Sequence, residues 1–152
     1  MSRRVFWLMR LKQVETDLDA ATLALGEFGR LASSDATVVP THSSVRVSDF
    51  APANERLKPL LMVAAVVSFE AALREFWSSA LGRTTEPPLS ALVASVASRR
   101  QVPATLVDQV GAVRNARNAF IHQGRLPDAD FPQVRRTLAR FLSHLPDDWQ
   151  AA

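Results

Sequence analysis

Arg114, Arg117, Asn118 and His122 fall within one nine-residue stretch. An arginine offers a planar fork of donors that matches the oxygens of a phosphate. A histidine exchanges its proton near neutral pH more readily than any other side chain. Together these types suit holding an anion and moving a proton beside it. Their spacing matters as much as their type. At 3.6 residues per turn, Arg114, Asn118 and His122 stack on one flank at steps of four. Arg117 lies near the centre of the apolar stripe formed by Leu106, Val110, Val113, Phe120 and Ile121. A guanidinium in such a stripe is costly unless it meets a partner or a wet cleft, and violations of this kind mark functional or strained positions. The plainer account also stands. A histidine near a helix C-terminus serves the helix dipole, and a lone arginine in a stripe extends its head to solvent.

The helix that carries these residues is expected from Pro103 to Gln123, opened by a proline in its first turn and closed at Gly124. Four other helices must position it. Residues 5 to 32 repeat Leu8, Leu11, Glu15, Leu18, Leu25 and Phe28 at three- and four-residue steps. Residues 33 to 54 are rich in Ser and Thr and hold two prolines. They read as a long connection, with Val45, Arg46 and Val47 as a short extended piece. A helix from about Asn54 to Leu81 follows, with Asn54 as cap and Gly82 at its end. Its run LLMVAAVVSF is apolar all round, the mark of a helix buried on several sides. Leu89 to Ala97 forms a shorter helix. A last one runs from about Phe131 to His144, capped by Asp130, and 145 to 152 is a tail. The expectation is one all-α domain over 1–152, an antiparallel bundle of four to five helices with a long loop after the first.

Composition narrows the chemistry. The 152 residues include no cysteine, which excludes disulfides, thiol nucleophiles and zinc–thiolate sites. Three scattered histidines give a metal site little support, and no glycine-rich phosphate loop is present, so neither metal nor cofactor is expected. The apolar stretch near the N-terminus is broken by Arg10 and Lys12, and the run from Pro59 to Phe69 is too short to span a bilayer. A cytoplasmic protein without a membrane partner is the expectation. The net charge is +3, and the only lysines among 18 basic residues are Lys12 and Lys58. Arginine in place of lysine suits a polyanionic partner; it equally follows from a GC-rich genome.

The motif RNAFIH, Arg117 to His122, fits the R-N-x-x-x-H form of the R-x(4–6)-H signature and resembles that of HEPN domains. These are helical bundles that include many endoribonucleases. The stretch VVSFEAALREFW, residues 66 to 77, is similar to the long core helix of the RiboL-PSP-like HEPN group, so the resemblance covers roughly 55 to 125. It implies metal-independent cleavage of RNA in a cleft formed where two domains meet, leaving a 2′,3′-cyclic phosphate and a 5′-hydroxyl. In that picture His122 is the general acid or base, Arg117 holds the scissile phosphate, and Asn118 orients the phosphate or the imidazole. Arg114 binds substrate. Bacterial stress response or phage defence is the setting the resemblance implies, with a protein inhibitor or antitoxin as a further partner. His122 is followed by Gln123 and Gly124, a departure from the x-Tyr of the HepT toxins and from the pairing that goes with it.

One histidine per site cannot easily serve as both acid and base. A twofold homodimer that brings two copies of His122 together would supply both. Glu70, set among apolar residues, either pairs with Arg74 four residues on or reaches Arg117 across the bundle as its orienter. The basic run Arg135, Arg136 and Arg140 is either a guide for RNA or a solvated helix face. Two other readings compete with an enzyme. One is a non-catalytic HEPN-like bundle that binds RNA or a protein. The other is a plain helical dimerisation unit in which Arg117 belongs to a structural ion pair.

Overall fold

The computed structural model describes residues 1–125 and 130–149. It is all-α, a bundle of five helices: α1 (Arg3–Ser34), α2 (Phe50–Glu75), α3 (Leu89–Arg100), α4 (Ala104–Gln123) and α5 (Phe131–Leu142). No strand occurs among the described residues. The long α1 starts where the Ser2 hydroxyl accepts a hydrogen bond from the Val5 amide at 3.3 Å, satisfying one of the free donors of the first turn.

Two contacts at opposite ends fix α1 antiparallel to α2. Near the end of α1, Phe28 meets Phe50 edge-on at 5.1 Å. Near its start, Trp7 donates from Nε1 to Glu75 Oε2 at 2.8 Å. Gly29 permits the first of these crossings, because a Cβ there would stand 3.1 Å from Phe50 Cβ. α1 is also antiparallel to α5. Arg4 reaches the end of α5, donating to the carbonyls of Ser143 and Leu145, while Glu15 meets Arg135 nearer its start. The arginine thus answers carbonyls that the helix end leaves free.

The core runs through all five helices. Leu11 and Leu18 of α1, Phe69 and Leu73 of α2 and Phe76 just after it share one buried cluster with Leu92, Val96, Leu106, Val110, Leu138 and Phe141. Phe69 and Phe141 pack edge-to-face at 5.4 Å.

Three boundaries differ most from expectation, and α3 also runs on to Arg100, three residues past its expected end at Ala97, before Gln101 turns left-handed. α2 begins at Phe50 rather than Asn54, because Pro52 falls in the first turn, where no amide hydrogen bond is needed. The connection therefore ends at Asp49, and its middle forms two short 3-10 turns, Ala36–Val38 and Val47–Asp49, with Arg46 extended between. At its far end α2 passes into a π turn, Phe76–Ala80, before Gly82 with φ +59°. The third difference is the C-terminal stretch. Leu145 and Trp149 are fully buried, so the described part of the chain expected as a tail, 145–149, packs onto the core through these two side chains. Trp149 packs edge-on against Phe76 at 5.7 Å and donates from Nε1 to the Pro146 carbonyl at 3.0 Å. Asp130 does precede α5, yet its side chain makes no capping bond; it lies 3.7 Å from Arg136 instead. Residues 126–129 of the expected loop before α5 lie outside the described residues.

Candidate anion site on the fourth helix

α4 leaves the core as it proceeds. Leu106 and Val110 are buried, Val113 and Phe120 are half-covered, and Ile121 is 45% exposed. The apolar stripe expected to be continuous is therefore complete only over the first half of the helix. The polar cluster sits on the second half, where core packing thins.

Arg117 is partly buried. Its Nη1 donates to Asn118 Oδ1 at 2.9 Å, and its Nε is removed from solvent without a hydrogen-bond acceptor. Arg114 repeats the arrangement one turn earlier: Nη2 donates to Asn115 Oδ1 at 3.2 Å, and Nε is buried and unpartnered. Neither guanidinium forms an ion pair among the described residues. His122 is exposed in the last turn of α4, which Gly124 closes with φ +64° and a hydrogen bond donated by its amide to the Phe120 carbonyl. Thus α4 carries two desolvated guanidinium edges, each braced by an asparagine, followed by an imidazole open to solvent. The Nε atoms themselves are closed to solvent; the rest of each partly exposed guanidinium is where an oxyanion, the strongest acceptor for it, would bind.

Glu15 gives the contrast. It too interrupts an apolar stripe, on α1 between Leu11 and Leu18, and it is buried. Lys12 hydrogen-bonds it, and Arg135 Nε stands 3.0 Å from its Oε2 as an ion pair. The Lys12 hydrogen bond, with the Arg135 charge, holds the Glu15 carboxyl below its ordinary 4.5 against the opposing effect of burial. Of these two charged interruptions, Glu15 has two cationic partners, while Arg117 has no ion-pair partner among the described residues. Arg135 is therefore a structural residue, and of the basic run only Arg136 and Arg140 are exposed. Sequence reasoning placed Glu15 in the stripe without finding its partner, 120 residues away on α5.

Glu70 is held by Arg74, which donates from Nε at 3.0 Å and from Nη2 at 2.5 Å to the same Oε1. Arg117 is not among its partners. His42, in the connection, and His144, just after α5, lie apart from the cluster in sequence; the His144 carbonyl accepts from Arg100 Nε at 3.1 Å. Among the described residues no group of three or more His, Cys, Asp and Glu side chains is placed to hold a metal ion, and no helix is long and apolar enough to cross a membrane. Comparison with known proteins brings no neighbour to set beside these features: no family model, no curated protein and no solved structure matches the chain.

Proposed function

We propose that the chain is a HEPN-type, metal-independent endoribonuclease whose site is completed by a second copy. The observation that carries this reading is Arg117: a partly buried guanidinium on the apolar stripe of α4, braced by Asn118, with no ion-pair partner and a buried Nε without an acceptor among the described residues. A phosphate oxygen of RNA is a fitting acceptor, and a guanidinium already in place stabilises charge that grows on that phosphate during cleavage. His122, just over one turn on, takes the proton of the ribose 2′-hydroxyl or gives one to the leaving 5′-oxygen. Both half-reactions need a titrating group, so a second His122 from a twofold partner supplies the other.

Incomplete cover over α4 supports such a partner. Ile121 is 45% exposed there, and α2 presents Leu60 and Val67, each more than half exposed and on one face at a seven-residue step. As a bacterial protein of stress response or defence it would be restrained by a further protein, in keeping with the family it resembles. The second reading, a bundle that binds RNA without cutting it, is favoured by one observation: a single copy offers one imidazole, exposed and without a group to orient it among the described residues.

The test is cleavage of single-stranded RNA in the presence of a chelator. Wild type is expected to cut, and His122→Ala to abolish cutting while the far-ultraviolet circular dichroism stays the same. RNA bound but left intact selects the binding module. Cleavage that survives His122→Ala refutes the assignment of the imidazole.

A further inference from the structure

A cavity of about 450 Å³ opens between α3 and α4, next to Arg114 and away from the RNAFIH motif itself. That volume lies within the range of small-molecule sites, roughly 300–1,000 Å³. Val93 of α3 and Val110 of α4 give it apolar walls, while Ser90, Asp108 and Arg114 stand on its lining as polar groups.

Two features of this lining are not accounted for by contacts among the described residues. Gly111 sits mid-helix, where glycine destabilises relative to alanine, yet a Cβ there would meet no atom within 4 Å. Packing therefore does not demand the glycine; what it does is widen the cavity. Asp108 is the second. It is exposed and forms neither ion pair nor side-chain hydrogen bond among the described residues, although it shares α4 with the two unsatisfied arginines. On a surface that holds phosphates a bare carboxylate repels the ligand, unless it faces a part of that ligand rich in donors.

We infer that this cavity receives a guanine base. Guanine alone among the four RNA bases presents two adjacent donors, N1–H and N2–H, on its pairing edge. They match the two oxygens of one carboxylate, here Asp108. Unstacked bases are commonly held in this way, edge hydrogen-bonded and faces against apolar walls. Arg114, at the border of the cavity with its Nε unpartnered, takes the phosphate attached to that nucleotide. From Arg114 to His122 is eight residues, about 12 Å along the helix, so the strand continues along α4 toward the cleavage site. The place of this guanine in a cleaved RNA rests on the ribonuclease reading; the pocket itself does not.

The experiment titrates 5′-GMP, 5′-AMP, 5′-CMP and 5′-UMP separately into the whole chain, followed by NMR shifts of α3 and α4 amides. GMP should bind about tenfold more tightly than the others, the discrimination expected of one bidentate base contact. Asp108→Asn should erase that preference, and Gly111→Phe should block all four by filling the cavity. Should Gly111→Phe fail to fold, the exposed Asp108→Asn carries the test alone. Equal binding of the four, no binding, or a GMP preference that survives Asp108→Asn overturns the pocket. Mapping of cut sites separates the two proposals. GMP preference without RNA cleavage keeps the pocket and removes the ribonuclease. Cleavage without GMP preference does the reverse.

Discussion

Replacing Arg117 by Met distinguishes a guanidinium kept for a ligand from one kept for the fold. Methionine keeps an unbranched apolar stem in place of the arginine's and removes the charged head. Two effects then oppose each other. A buried donor without an acceptor costs about 1–3 kcal/mol, and that cost disappears. The hydrogen bond from Nη1 to Asn118 is also lost, a charged donor to a neutral acceptor worth about 1.5–3 kcal/mol when intact and less in a half-exposed setting. The sum lies within about 1 kcal/mol of zero. Arg135→Met is the control. It leaves the buried Glu15 carboxylate with Lys12 alone and should cost roughly 2 kcal/mol, less than the 3–5 kcal/mol of a fully orphaned charge. Urea unfolding at neutral pH, followed by circular dichroism, measures both. RNA binding should fall only in Arg117→Met, and with it the salt dependence of binding should weaken by about one phosphate contact. A loss of more than about 3 kcal/mol in Arg117→Met would refute the reasoning and place Arg117 in a structural ion pair.

Other expectations follow from the same contacts. Trp149→Ala should destabilise by about 3–5 kcal/mol and lower Tm by roughly 10 °C or more, as thermal unfolding will show; a dispensable tail would show no change. Gly111→Ala should raise stability by about 0.5–1 kcal/mol, since the added methyl meets nothing and the helix gains propensity. Acid should act through Glu15. Its folded pKa lies below the ordinary 4.5, so the stability it contributes is present above that value and is lost as pH falls through the folded pKa. A pH series of unfolding midpoints should therefore decline below about pH 4.5, and Glu15→Gln should flatten that part of the decline.

Sequence periodicity located the helices because each buries a stripe whose spacing is written locally. α1 and α4 lie within two residues of their expected ends, and Gly124 closes α4 as its position suggested. What escaped depends on tertiary placement. Pro52 reads as a break, yet at a helix start it is harmless, so α2 begins four residues early. Leu145 and Trp149 have no periodic pattern around them, and only the packing against Phe76 reveals that Trp149 belongs to the core. Arg117 stood out in the sequence as a charge in an apolar stripe, while Glu15 was read only as one of the residues recurring along α1. That Glu15 pairs with Arg135, while Arg117 has no ion-pair partner among the described residues, appears only when α5 is set against α1. The α3–α4 cavity was invisible for the same reason. Asp108 and Gly111 are ordinary helix residues until Val93 is placed opposite them.

The central claim, that Arg117 and His122 cut RNA without a metal ion, is tested most directly by the ends of the product. A 5′-labelled single-stranded RNA is incubated with the purified chain and a chelator, and the fragments are analysed by mass. The account predicts fragments ending in 2′,3′-cyclic phosphate and beginning with 5′-hydroxyl, and none with His122→Ala. Intact RNA, fragments beginning with 5′-phosphate, or unchanged cutting by His122→Ala would contradict it.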